Sequence, residues 1–526
     1  MSSRRGPLIL AVDLGTSGAK VGLVSSEGEV VAVAFEPTSL VLLPGGGAEQ
    51  DPEDWWRATR SAARTVIEGT GRARDVVAVA CTAQWSGTVA VDQNGRHLAP
   101  ALIWMDMRGA SAVRARIGGR VRVAGYEVRK ALRWIRLTGG APEKSGKDPF
   151  GHVLWLAQHR PEVYRAAAVL LEPKDYLNAR LTGRMAAGFD SIALHWVTDN
   201  RRIDQVGYDA KLLELAGLDR GKLPDLRPPT EVLGPLLEGA AAELGVPAGL
   251  PVVMGAPDMH TAAIGSGATA DYQAHLYLGT SSWLICHTPF KKTDVRRNMA
   301  CLPSALPGRW LVVNEQETAG ACLDFLADRL GIYPDDRAAG ADPAELYARY
   351  DRAVTRSEVG SGGVLFAPWL YGERTPVEDA RLRAAFVNLS LRSSRDDLVR
   401  AVFEGVALNS RWLHRGVEAF VGRPLREIRM VGGGARSSVW CQIYADVLRC
   451  TVHQVRDPGW ANLRGAALLG YLSLGVIGVH DLQRGSTVAR TFRPEPDAAD
   501  AYDQIFRNFR RLHRSVRSIR PPAARG

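Results

Sequence analysis

The stretch LAVDLGTSGAK, Leu10 to Lys20, carries the apolar end of a strand into an acid, two glycines and two hydroxyls, and LYLGTSSW, Leu276 to Trp283, nearly repeats it. A G-T-S turn after a strand gathers backbone N–H groups and hydroxyls in a small concavity that suits phosphate oxygens. Asp13, just ahead of the first turn, is the hard oxygen ligand that Mg²⁺ on such phosphates takes, directly or through water. Alone, DLGTS also reads as an ordinary turn, because Gly, Ser, Thr and Asp are the usual turn residues. The echo at Gly279, Thr280 and Ser281 favours a nucleotide.

Outward from the first turn, AKVGLVSS and EVVAVAF complete a three-stranded meander. DPEDWWRATRSAARTVIEG is a helix with Asp51 as cap and Pro52 in its first turn, and DVVAVACT is a buried strand. The second half repeats the order: AHLYLGTSSWLICHT gives strand, turn and strand, RWLVVNEQ another strand, TAGACLDFLADRL a helix, and EIRMVGGGARSSVWCQIYADVL strand, glycine turn and helix. The expected fold is therefore α/β, two domains on one plan that face each other across a cleft, each contributing one turn to one ligand. The expected units are residues 8–265, residues 266–492, and a C-terminal helix with a basic tail over residues 493–526.

The chain has 526 residues, 46% hydrophobic and 23% charged, too long for one core. Its net charge of +10 is spread among acids apart from the basic tail, which argues against a nucleic-acid partner. The six cysteines lie far apart, mostly in apolar runs with no C-x-x-C pair, and read as reduced core residues. Asp13 stops the first apolar run short of a signal peptide, and AALLGYLSLGVIGV is too short and too rich in glycine to span a bilayer. A cytoplasmic location with no membrane partner is expected.

Among the motifs, VGGGARSS (Val431 to Ser438) lets a ligand approach the backbone, with Ser437 or Ser438 as helix cap, or is simply a tight turn. It is not the dinucleotide fingerprint, and no P-loop occurs. PVVMGAPDMHTAAIGSGA places Asp258 between a buried strand and a small-residue helix, where a carboxylate takes a proton from a hydroxyl attacking a γ-phosphate or else caps the helix. His260 is the rival base. YGERTPVED is a rigid loop with Glu373 and Arg374 as an exposed ion pair or an interface element, and KDYLNARLTG and LIWMDMRG are polar interruptions of undetermined chemistry.

Taken in order, DLGTSGAK, AEQDPEDWW, AQWSG, IWMDMR, PKDYLNARLTG, GAPDMHTAAIG, YLGTSS, GERTP and VGGGARSSVWCQIYADVL with NLRGAALLG resemble the FGGY carbohydrate kinases, and among them most closely the xylulokinases. The resemblance covers about Leu8 to Leu474 and implies two ribonuclease-H-like domains of the actin and hexokinase superfamily with ATP in the cleft. It implies Asp258 as catalytic base and Asp13 near Mg²⁺. It implies Thr16, Ser17, Gly279, Thr280 and Ser281 at the phosphates, and Gly320, Gly433, Gly434 and Ser438 toward the nucleotide, a serine replacing an amide of some relatives. Gln84, Trp85, Ser86 and Asp106, with Asp258, fall on the sugar side. Trp85 and Ser86 stand where xylulokinases carry Met-His, and Trp104, Met105 and Asp106 stand for Trp-Asn-Asp. Pro257 replaces the usual glycine before the aspartate. The expected reaction is ATP-dependent phosphorylation of a small sugar or polyol, D-xylulose first, with other pentuloses, sugar acids and tetritols open and a homodimer possible. Two rivals are a silent sugar- or nucleotide-binding regulator and an actin- or chaperone-like ATPase.

Overall fold

The computed structural model describes residues 6–333 and 343–519, so residues 520–526 of the basic tail lie outside the described residues. The first sheet holds β1 (Leu8–Gly15), β2 (Gly18–Ser25), β3 (Val30–Pro37), β4 (Val76–Ala83), β5 (Val232–Pro235) and β6 (Pro251–Val253) in the order β5-β6-β4-β1-β2-β3. β1, β2 and β3 form the antiparallel meander, β4 and β6 run parallel beside β1, and β5 closes the edge antiparallel. The apolar runs of β1 and β4 are buried on both faces, which is why they do not alternate.

The second sheet repeats this scheme with additions on one side. β7 (Ala274–Leu278), β8 (Ser282–Thr288), β9 (Thr293–Asp294), β10 (Met299–Pro303), β11 (Trp310–Val313), β12 (Glu427–Val431), β13 (Thr451–Val455) and β14 (Val488–Phe492) lie in the order β9-β10-β11-β8-β7-β12-β13-β14. β7 and β8 form the hairpin, β12 and β13 lie parallel beside β7, and β14 is the antiparallel edge. β1 and β7 thus occupy equivalent positions, and each runs into a G-T-S turn.

The halves are joined by two crossing helices, α1 (Asp258–Ser266) and α2 (Ala461–Ser473). A Cβ on Gly265 would lie 1.8 Å from the Ala461 carbonyl oxygen, and one on Gly465 1.8 Å from that of Thr261. Only glycine permits this backbone contact. α2 lays Leu463, Ala466, Ala467 and Tyr471 on the first sheet against Ile9, Ala11 and Ala80, although it comes from the second half of the chain. The buried Arg464 adds hydrogen bonds to the carbonyls of Gly28 (3.0 Å) and Gly265 (3.3 Å). The C-terminal helix Pro496–Ser518 buries Tyr502, Phe506 and Phe509 in the core of the second half. All six cysteines are free and buried. Among the described residues, no helix is long and apolar enough to cross a membrane.

Candidate active site

On the first side, Asp13 sits in β1 in register with Lys20 of β2 and Thr82 of β4, and is buried with Lys20 Nζ 3.4 Å from its carboxylate. The turn that follows is tied into a side-chain network. The Thr16 hydroxyl donates to Gln84 Oε1 (2.9 Å) and accepts from the Trp104 indole (2.9 Å), and the Thr16 carbonyl accepts from Gln50 Nε2 (2.8 Å). Gln84 Nε2 donates to Gln50 Oε1 (2.7 Å), so both amides are locked. Ser17 is exposed.

Trp85 and Ser86 also direct their polar atoms inward. The Trp85 indole donates to the Ser191 carbonyl (2.9 Å) and its ring lies edge-on to His260, with centroids 5.3 Å apart. Ser86, at φ 69°, donates its hydroxyl to the Lys147 carbonyl (2.8 Å). Asp106 is fully buried, and its oxygens accept from the backbone N–H groups of Ala48 and Arg108 and from the Arg108 guanidinium. Asp106 therefore clamps a loop through Arg108, which also pairs with Glu49 (2.6 Å).

Asp258 is the first residue of α1, with Pro257 in the cap position. Its carboxylate accepts from the Met259 N–H (2.8 Å) and does not reach the deeper N–H groups that a capping side chain satisfies. Burial raises its pKa to about 8, helped by the charges of Asp13 and Glu315. One carboxylate from each side of the cleft thus acts on the same group. His260, the rival base, is buried with its Nδ1 accepting from the Ala305 N–H (3.2 Å), and burial lowers its pKa to about 3. It is a neutral packing residue.

On the second side, Gly279, Thr280 and Ser281 pack on the start of the helix Ala321–Asp328. The Gly279 carbonyl accepts from Gly320 N–H (2.8 Å) and the Thr280 carbonyl from Ala319 N–H (2.8 Å). A Cβ on Gly320 would stand 2.6 Å from the Gly279 oxygen, so glycine is required there. Thr280 is exposed and Ser281 buried. Tyr277, two residues before the turn, stacks on Trp283 at 4.0 Å, and the charges of Asp13 and Asp258 add to the burial that raises its pKa. β7 therefore delivers its turn to the same place as β1.

The glycine turn after β12 lies next to β7, where a Cβ on Gly434 would meet the Leu278 side chain at 2.6 Å. Gly433 is exposed and faces open space. Ser437 caps the helix Ser438–Leu448 through the Trp440 N–H (2.9 Å) and donates to Asp351 (2.6 Å), while the Ser438 hydroxyl accepts from Arg490 (3.0 Å).

Sequence reasoning missed a charged cluster where the halves meet. Lys147 Nζ bonds both oxygens of Glu317 (3.0 and 2.9 Å), and Arg374 contacts Glu315 (2.6 Å), Glu317 (3.1 Å) and Glu143 (3.6 Å). Of the two readings of Glu373, exposed ion-pair partner or interface element, the exposed one fails: it is buried, accepting from Asn409 and from the Glu317 and Arg374 N–H groups, and burial raises its pKa to about 8. The interface reading of YGERTPVED carried half of this cluster. Glu315 and Glu317, two acids closely following the strand RWLVV, were a visible signal, whereas Lys147 had none.

Two matched sheets, joined by crossing helices and carrying paired turns at a carboxylate-floored cleft, define a two-domain carbohydrate kinase. Models of the FGGY family of carbohydrate kinases match residues 8–265 (N-terminal domain) and 274–474 (C-terminal domain), and the chain belongs to this family. It is 31% identical to the xylulose kinase of Escherichia coli (strain K12) over 518 residues, 97% of this chain and 99% of the relative. It is 24% identical to the gluconokinase of Bacillus subtilis (strain 168), over 96% and 95%. A solved structure titled as a "xyloylose kinase" from Brucella ovis aligns with a TM-score of 0.81 at 26% identity, over 97% of this chain and 99% of that one. The protein is a carbohydrate kinase acting on a small sugar, and its family implies ATP as donor.

Proposed function

We propose that the protein transfers the γ-phosphoryl group of ATP to a hydroxyl of a small ketose, with D-xylulose the first candidate and Asp258 the base. The acceptor oxygen bonds the γ-phosphorus, the bond to the β–γ bridging oxygen breaks, and the acceptor proton passes to Asp258 while ADP leaves. The observation that carries this reading is the Asp258 carboxyl at the start of α1, in the joint field of Asp13 and Glu315 with a pKa of about 8, close to the working pH of a general base.

In this reading Thr16 holds Gln84 and Trp104 at the acceptor, and Trp85 and Ser86 shape its wall. Ser17, Gly279, Thr280 and Ser281 face the phosphates, and Gly320, Gly433, Gly434 and Ser438 the rest of the nucleotide. Asp13 and Asp258 repel each other across the site, an arrangement that suits a divalent cation carrying its own waters and phosphate oxygens. Mg²⁺ bound there would neutralise charge on the phosphates. The reaction is assigned to the cytoplasm, where ATP is available, and a homodimer is compatible with it.

The test is ADP release from Mg·ATP across ketoses, aldoses, sugar acids and polyols, run on wild type and Asp258→Asn. One acceptor that stimulates the wild type and not the variant supports both the reaction and the base. Stimulation by another pentulose or a tetritol replaces D-xylulose. Sugar binding without turnover makes the protein a silent regulator.

A further inference from the structure

Resting on the kinase reading above, we infer that the acceptor is an uncharged ketose or polyol, and that Glu317, by occupying Lys147, is the specificity-determining residue that excludes sugar acids.

The position of the pair comes first. Lys147 reaches the acceptor side through both ends: its carbonyl holds the Ser86 hydroxyl (2.8 Å), and its ammonium lies 6.0 Å from the centroid of the Trp104 ring, whose indole holds Thr16. The same ammonium lies 4.9 Å from the Tyr371 ring of the second half. Glu317 meets it from that half, and the neighbouring Glu315 reaches Asp258 with its charge. The pair therefore borders the space between the sugar-side aromatics and the base.

The charge of this border decides which acceptor it admits. Lys147 and Arg374 face three carboxylates, Glu143, Glu315 and Glu317. Both oxygens of Glu317 bind the ammonium and compensate its charge, so a ligand carboxylate would meet a cation that is already paired. Arg374 Nη2 has no partner, but it has essentially no accessible surface and offers nothing to a group entering the cleft. Asp13 adds further negative character to the floor, where its charge acts on Asp258. A sugar acid would bring another carboxylate into this field with no cation to receive it, and an unpaired like charge in a confined site is costly. A ketose or polyol of the same length carries only hydroxyl and carbonyl groups, which accept and donate without that penalty.

The experiment is calorimetric binding of D-xylulose, D-ribulose, erythritol, D-xylonate and D-gluconate to the full-length protein with a non-hydrolysable ATP analogue, alongside ADP release with ATP. Wild type is expected to bind a neutral member and to bind both acids at least about tenfold more weakly. Glu317→Gln, which frees the ammonium, is expected to raise the acid-to-neutral affinity ratio about tenfold or more, and Lys147→Met combined with Glu317→Gln to cancel that rise. Retained neutral-sugar binding shows that the variants are folded. Equal or tighter binding of an acid by wild type, no change of ratio in Glu317→Gln, or no binding of either class overturns the inference. Neutral-selective binding without ADP release leaves it standing and removes the kinase reading instead.

Discussion

The turns at Gly15–Ser17 and Gly279–Ser281 share a three-residue motif and an equivalent place after the first strand of a hairpin, but their hydroxyls differ in use. Thr16 is bonded to Gln84 and Trp104, and Gln50 holds its carbonyl. Thr280 is exposed, and only its backbone is fixed, by N–H groups at the start of the next helix. One turn ties its hydroxyl to neighbouring side chains, whereas the other leaves its hydroxyl exposed. A repeated motif thus has two surroundings, because the segment after β4 brings Gln84 beside the first turn while a helix start lies beside the second.

The largest expected effect tests whether both turns serve one reaction. Asp258→Asn should lower kcat about 10²- to 10⁴-fold in a coupled ADP assay, with ATP binding by calorimetry unchanged. The same variant should be more stable than wild type. Folded Asp258 keeps its proton up to about pH 8, whereas the unfolded chain loses it near the ordinary aspartate value of 3.8. Wild type therefore loses stability as pH rises from about 4 to about 8. The gain in Tm for Asn should be absent near pH 4 and greatest above pH 8, and an advantage that shrinks with rising pH would refute the assignment.

Gly320→Ala attacks the second turn alone, since its Cβ would meet the Gly279 carbonyl oxygen at 2.6 Å. A loss of about 1–3 kcal/mol in urea unfolding is expected. The KM for ATP should rise and that for the acceptor stay put. Thr16→Val attacks the first turn, orphaning Gln84 and Trp104 at a cost of about 1–3 kcal/mol. Here the acceptor KM should rise about tenfold, equivalent to about 1.4 kcal/mol, with the KM for ATP nearly unchanged. A mirror-image result in steady-state kinetics would reverse the division of labour between the turns. The smallest structural effect belongs to Thr280→Val, whose exposed side chain should change stability by no more than about 0.5 kcal/mol while weakening ATP use. An unaltered ATP dependence would remove Thr280 from the phosphate site.

Much of the architecture was legible in the chain itself. Asp51 and Pro52 mark the start of the helix Pro52–Thr70, where the Asp51 side chain does accept from the Glu53 N–H. The buried strand DVVAVACT is β4, and the repeated strand-turn-strand order became two sheets of one scheme. Of the two candidate caps, Ser437 bonds the helix and Ser438 bonds Arg490 instead. The candidate site was legible where local order creates it. Asp13 precedes its turn in sequence and Asp258 begins its helix, so both stand out in a linear reading. Asp106 stands out by residue type, but type alone fits a sugar contact and a structural clamp equally well. Its oxygens are filled by Arg108, two residues on, and by the Ala48 N–H, brought in from a distant segment.

The sequence by itself determined the strands, turns and caps, because hydrophobic period and turn chemistry act over a few residues. It also determined the two G-T-S turns and the acid that begins α1. Tertiary structure alone decided which hydroxyls are free, that Gly265 and Gly465 carry the helix crossing, and that Lys147 meets Glu317 and Arg374 meets Glu143 across the cleft. Those contacts join residues more than 150 positions apart in the chain. Their energy depends on burial and mutual distance, and neither is encoded within any window of sequence that contains only one of the partners.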